Sequence, residues 1–397
     1  MTSDYTKENS FIINSVSGVI TGKLPDAGEV SYGALNWDYI LSTADLNGVI
    51  PILSKSFNLY DKEIFPSDVI ETLSVLNRES AVSNLLKLKE LFHVNNNFAG
   101  NGIKTVVLKG AGLGTDLYSD ISLRPFGDLD ILVSKENLDK AVHVLKECGY
   151  EHVFNYSEKQ AEIYKHSAFY LKDQDMHYSF YNPVKKIYLE LHWALMPEKY
   201  SFSLDVEEVF ENAHIVTAGQ GEILIPSDED NIIYLSLHGA KHFWSRLIWI
   251  ADVAMFMNKK EKINWELVIA KSEELNCRRN LMLAVSMARK MFLIEPPGVF
   301  RAYLHNDKKL TVLINKADQN YRTVYDIENI ESENKTFFLH SMESTIDKLR
   351  FVAEIIFKPT IYELEMISLP KKLSCLYYML RPVRLLKKYF LKLFSNN

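Results

Sequence analysis

Three cysteines in 397 residues, Cys148, Cys277 and Cys375, form no CxxC pair and no even-numbered set. That excludes a disulfide framework or a zinc finger and fits a reducing compartment. Bilayer-length apolar runs are missing too. The most apolar stretch, NIIYLSLHGAKHFWSRLIWIADVAMFM, is broken by Lys241, Arg246 and Asp252, whereas a membrane-spanning helix needs roughly 20 apolar residues. The opening MTSDYTKENSFIINS has Asp4 and Glu8 where a secretion signal has basic residues followed by an apolar run, so the expected location is cytoplasmic. No large charge excess exists: 45 basic against 51 acidic residues leave −6, which excludes coating of nucleic acid by bulk charge. There is no GKS or GKT, hence no Walker A loop, and no internal repeat.

What remains is an ordinary globular composition, 47% apolar and 24% charged, in a chain long enough for two or three units at roughly 150 residues each. Apolar spacing predicts helices over 37–57 and 66–94, the second closed by NNNFAGNG. The pattern then changes. IKTVVLK and DLDILV are β-branched, strand-like runs separated by a turn containing Gly110, Gly112 and Gly114. A helix over 136–148 follows, opened by Ser134 and stopped by Gly149, and further strand-like runs lie at 151–154, 167–171 and 186–193. Helices return over 228–243 behind Ser227, then 245–258, 264–276 and 278–294, up to Pro296, Pro297 and Gly298. The expected fold class is therefore α+β, with a mixed β-sheet core flanked by N-terminal and C-terminal helical regions. The implied divisions are 1–100, 101–226, 227–298 and 299–397.

Chemistry concentrates in the strand-like segments. Asp128 and Asp130 flank Leu129 at the head of an apolar strand. Side chains alternate along a strand, so both carboxylates leave one face and repel unless something neutralises them. Hard oxygen ligands favour Mg²⁺ or Mn²⁺ over zinc. DxD at a strand end also arises by chance, as a solvated edge, so the neighbours decide. Upstream, Lys109 and the glycines of LKGAGLG make a turn where backbone N–H groups can face an anion. Downstream, Glu190 and His192 share a face of KKIYLELHW. Three carboxylates on neighbouring strands beside a glycine turn suit phosphoryl transfer.

With these residues in place, the sequence resembles the polymerase beta type nucleotidyltransferase superfamily. In particular it is similar to a broad, mostly uncharacterised bacterial nucleotidyltransferase family within it. The resemblance is carried by Lys109, Gly110, Leu113, Tyr118, Arg124, Asp128, Asp130 and Leu132, by Glu190, Leu191, His192 and Trp193, and by His238, Lys241, His242, Arg246, Leu247, Trp249 and Asp252. It runs from about Trp37 to Arg384. It implies that Asp128, Asp130 and Glu190 hold Mg²⁺ or Mn²⁺, with Glu190 also placed to accept the proton of an attacking hydroxyl. Gly110 and Ala111 would offer backbone to the triphosphate of an NTP, and Lys109 and Arg124 would neutralise its charge. Ala111 departs from the serine or glycine usual after the first glycine. Lys241, His242 and Arg246 would wall the nucleotide site. The partners implied are an NTP and an acceptor hydroxyl.

Other readings have residues of their own. DxD also holds Mn²⁺ in glycosyltransferases, which place alternating strands and helices before it. A non-catalytic nucleotide-binding or interaction module is the third alternative. GAGLG is not the GxGxxG of dinucleotide folds, and HGAKH lacks the Glu of HExxH. Between Lys371 and Phe394 lie seven basic residues, no acidic one and an interleaved set of apolar ones. This tail reads as a surface for an anionic membrane or a partner, or as a helix docked on the acidic body, with Pro382 as an interruption.

Overall fold

The computed structural model describes residues 6–24, 35–60, 65–153, 157, 159–160, 162–163, 176–200, 202, 204–259, 263–304, 307–320 and 327–395. Three helices come first, α1 (Thr6–Thr21), α2 (Trp37–Leu46) and α3 (Ile50–Ser56), followed by the long α4 (Ser67–Gly100). The central region runs β1 (Val106–Leu108), α5 (Gly110–Asp116), β2 (Asp128–Leu132), α6 (Leu138–Glu147), β3 (Glu151–His152), β4 (His177–Asn182), β5 (Ile187–His192), α7 (Val206–Asn212), β6 (His214–Ala218) and β7 (Gly221–Ile225). Then come α8 (Asp228–Lys241), α9 (Leu247–Lys259), α10 (Trp265–Glu274), α11 (Arg278–Phe292), α12 (Arg301–Leu304), α13 (Lys308–Asn320), α14 (Ile327–Ser341), α15 (Thr345–Phe357), α16 (Ile361–Met366) and α17 (Tyr377–Ser395).

Five strands form one mixed sheet in the order β1-β2-β5-β4-β3, with β2 and β5 parallel and the other neighbours antiparallel. This is the α+β architecture expected. Alternation along the strands gives the sheet two unlike faces. Val107, Leu129, Ile131, Tyr178, Phe180, Leu189 and Leu191 are buried on one face, against Leu91, Val94 and Phe98 of α4 and Val144 and Leu145 of α6. The other face carries Asp128, Asp130, Glu190 and His192. The β6–β7 hairpin closes against the same layer, with Ile225 against Gly112 so closely that a Cβ there would stand 2.9 Å from the Ile225 side chain. A second, larger core joins α1, α3, α8, α9 and α11.

Several elements depart from the sequence expectation. The segment 37–57 is two helices, because the chain turns at Asn47 and Gly48 (φ +69°). Asn47, buried at 5% exposure, caps α9 by accepting from the Leu247 N–H at 2.9 Å. Helix α4 does not stop at Val94 but runs through the asparagines to Gly100. Burial of Phe98 under the sheet outweighs the weak helix propensity of Asn95, Asn96 and Asn97. Strand β4, the β6–β7 hairpin and α1 were not expected, and the expected strand 167–171 lies outside the described residues. Pro382 does not interrupt the last helix: α17 is continuous across it.

A candidate nucleotidyl-transfer site on the open face of the sheet

The site is set by strand register. Asp130 of β2 is paired with Glu190 of β5, and His192 of β5 is paired with His177 of β4. All four therefore rise from one face, with Asp128 one pleat along from Asp130. One oxygen from each of Asp128, Asp130 and Glu190 lies within 4.8 Å of the others. Asp130 is nearly buried, at 4% exposure. Its Oδ1 lies 3.0 Å from Lys109 Nζ and 3.0 Å from Nε2 of the fully buried His192. His192 Nε2 is also 3.2 Å from Glu190 Oε2, and His177 Nε2 is 3.4 Å from Glu190 Oε1.

Lys109 reaches Asp130 because the backbone turns sharply as it leaves β1. Lys109 has φ +44° and Gly110 has φ +24°, and a non-glycine residue held there stores about 1–3 kcal/mol of strain. A Cβ on Gly110 would press against the Phe126 ring at 3.3 Å. Phe126 belongs to the loop that delivers Asp128, and that loop is braced from both sides. From α4, Asn84 donates to the carbonyls of Ile121 (2.7 Å) and Arg124 (3.1 Å), and Lys87 Nζ donates to the Phe126 carbonyl (2.7 Å). From α9, Asp252 accepts from Arg124 Nε (3.0 Å), Arg124 Nη2 (2.8 Å) and the Tyr118 hydroxyl (2.9 Å).

Charge within the cluster is uneven. Asp130 beside it, more than its own burial, pushes Asp128 up to about 6. Burial opposes ionisation of Asp130, yet Lys109 and His192 hold it well below the usual carboxylate range. Burial likewise opposes charge on His192, but its hydrogen bonds to Asp130 and Glu190 raise it. Burial, with His192 alongside, lowers His177 to about 4. Asp128 is thus the carboxylate with an unresolved repulsion, and hard oxygens in this arrangement suit a divalent cation.

The cluster forms the floor of a cavity of about 600 Å³, a size that accommodates a nucleotide-sized ligand. Lys109, Gly110, Arg124, Asp128, Asp130, Glu190, Lys241, His242 and Arg246 all line it. Of the expected site residues only Ala111 does not, being 2% exposed behind the turn. Arg124 reaches the wall with Nε and Nη2 committed to Asp252. The end of α8 and the start of α9 supply an aromatic side, where His238, His242 and Trp249 pack with ring centroids 4.7–5.4 Å apart and the Arg246 guanidinium lies 5.9 Å from the Trp249 ring. Burial, together with Lys241 and Lys109, lowers His242 to about 3. Burial, then Lys109, lowers Lys241 to about 8. Sequence reasoning did not single out His177, Met176, Tyr234 or Asp45, which also line the cavity. The alternation of His177, Ser179 and Tyr181 with Tyr178 and Phe180 was the available signal for the first of these.

The metal-free protein should carry a measurable penalty at Asp128. Its pKa, about 6 when folded, lies above the ordinary value near 3.9, so the native state binds more protons between those limits. Its contribution to stability then falls as pH rises from about 4 to 6 and is level above. Asp128→Asn is expected to melt higher than the wild type at pH 8 without metal, by on the order of 2 kcal/mol, with the difference vanishing near pH 4. Melting curves of the two proteins in chelator across this range check it. Equal differences at pH 8 and pH 4 would remove the repulsion from the account.

A mixed sheet with three convergent carboxylates, a tight glycine turn and a flanking helical layer defines a nucleotidyltransferase-like α+β protein. The comparison with known families agrees. The family described as "Uncharacterised nucleotidyltransferase" matches residues 33–293, more than half of the sequence, and the chain belongs to it. The match covers every motif residue from Lys109 to Asp252 and stops well short of Arg384. No curated protein and no solved structure matches the chain.

Proposed function

We propose that the protein is a nucleotidyltransferase of the polymerase beta type that transfers a nucleoside monophosphate from an NTP to an acceptor hydroxyl. The acceptor oxygen bonds to the α-phosphorus, the bond from that phosphorus to the β-phosphate's bridging oxygen breaks, and pyrophosphate leaves. The observation that carries this reading is the register pairing of Asp130 with Glu190, which puts three carboxylates on one face at the floor of a cavity.

Asp128, Asp130 and Glu190 would hold Mg²⁺ or Mn²⁺. Such a cation, when bound, neutralises phosphate charge as it develops on the leaving group and lowers the pKa of an attacking hydroxyl. Glu190, in the same cluster at the cavity floor, would accept the hydroxyl proton. Lys109 and His192 fix the orientation of Asp130. The backbone at Gly110 would offer donors to the triphosphate, while Lys241 and Arg246, which also line the cavity, would supply positive charge. A glycosyltransferase reading draws no support from the fold: before β2 the described chain holds a single strand, β1, pairing antiparallel to it, rather than alternating parallel strands and helices.

Incubation with a panel of NTPs and of UDP-sugars in Mg²⁺ distinguishes the reactions by product. Pyrophosphate released from an NTP is the expected outcome, abolished by chelator. Release of UDP from a UDP-sugar would overturn the proposal.

A further inference from the structure

Helix α17 is held to the protein by polar contacts beside a small apolar cluster, in which Tyr377 and Leu380 pack with Ile361 and Leu364. Arg381 donates from Nε to the Ile355 carbonyl (3.0 Å) and from Nη1 to the Thr360 hydroxyl (2.9 Å). Arg384 pairs with Glu363, whose side chain is fully buried. The Tyr377 hydroxyl donates to the Ile367 carbonyl at 2.7 Å and accepts from the Leu369 N–H at 2.8 Å. These three residues lie on one side of the helix. On the other side Met379, Val383 and Leu386, spaced i, i+4 and i+7, form one line along the axis. They are 69%, 63% and 72% exposed.

This second apolar line departs from the usual arrangement, in which the outward face of a docked amphipathic helix is polar. Three large apolar side chains in a row remain wet, and Leu373 and Leu376 at the helix entrance are 46% and 41% exposed as well. In sequence, Phe390 continues the same spacing. The surroundings of the stripe are cationic. Lys371, Lys372, Lys387 and Lys388 are exposed, and no acidic residue occurs between positions 371 and 394. No described helix is long and apolar enough to cross a membrane.

We propose that α17 is a lipid-binding element that lies flat on an anionic bilayer surface. Met379, Val383 and Leu386 enter the boundary between headgroups and acyl chains, and the lysines contact lipid phosphates and carboxylates. The charge pattern selects this occupant. A second copy packed symmetrically through this face would bring one lysine cluster against another, whereas an anionic bilayer presents both the apolar interior and the opposite charge.

The test is sedimentation of the full chain with phosphatidylcholine vesicles, with and without about 30% phosphatidylserine, beside the variant Met379→Ser, Val383→Ser, Leu386→Ser. These side chains are exposed, so the variant is expected to fold and melt as the wild type does. The wild type should partition onto phosphatidylserine vesicles at least about tenfold more than onto neutral ones and be released by high salt, as cationic contacts to lipid require. The triple variant should lose most of that binding, and Lys387→Glu, Lys388→Glu should lose it on the same vesicles. Absence of wild-type binding to the phosphatidylserine vesicles, or binding that the triple variant retains, would overturn the proposal. So would a wild-type dimer in solution that the triple variant converts to monomer, because the stripe would then be covered by a second copy.

Discussion

The double substitution Asp128→Asn, Asp130→Asn is expected to reduce nucleotidyl transfer by at least about 10³-fold, since the cation's charge stabilisation of the transition state amounts to several kcal/mol. Asparagine keeps the shape of both side chains and leaves Lys109 and His192 an amide oxygen in place of the Asp130 carboxylate oxygen that each contacts at 3.0 Å. Loss of the Asp130 charge beside Lys109 is expected to lower stability, so a thermal melt establishes that the variant is folded before activity is compared. An alanine at position 130 would be a poorer probe. It would strand a buried lysine and a buried histidine, and removing one partner from a buried pair costs about 3–5 kcal/mol. Transfer by the double asparagine variant at more than a tenth of the wild-type rate would place the chemistry elsewhere.

The second large effect is one of stability. Asp252 is fully buried on α9, and its carboxylate receives the Arg124 guanidinium through Nε and Nη2 together with the Tyr118 hydroxyl. Asp252→Ala leaves Arg124, itself 4% exposed, charged and without its carboxylate, which is expected to cost about 3–5 kcal/mol. Because Arg124 sits in the loop that delivers Asp128, the same change should also loosen the carboxylate cluster at the cavity floor. Denaturant unfolding of Asp252→Ala, of Arg124→Met and of the double variant measures this. The double variant should recover part of the loss, because no unpaired charge remains buried. A loss under 1 kcal/mol in Asp252→Ala would show that the brace does not hold the loop.

That brace also marks where the sequence was legible and where it was not. The two aspartates of β2 and Glu190 of β5 could be found because strand alternation is a local rule, and the glycine turn that precedes them is a local feature as well. Their convergence needed only that β2 and β5 lie side by side. Tyr118, Arg124 and Asp252 belonged to the motif pattern but not to any local rule. Their meeting joins residues 128 and 134 positions apart, and it gives Arg124 a structural partner where a phosphate contact was expected. His192 is similar: its place on the Glu190 face was readable, but its burial between two carboxylates follows from the packing above the sheet. Strand β4 was missed although its HYSFYN alternates as a half-buried strand does, and of its less buried residues His177 lines the cavity. The extension of α4 shows tertiary context overruling local propensity.

The proposed reaction depends on Asp128, Asp130 and Glu190 gripping a divalent cation at the sheet face. Electron paramagnetic resonance of Mn²⁺ titrated into the protein, with and without NTP, measures that directly. The wild type should quench the free-ion signal stoichiometrically, and the folded Asp128→Asn, Asp130→Asn variant should not. Quenching of equal extent and affinity in both proteins, or none in the wild type with NTP present, would contradict it.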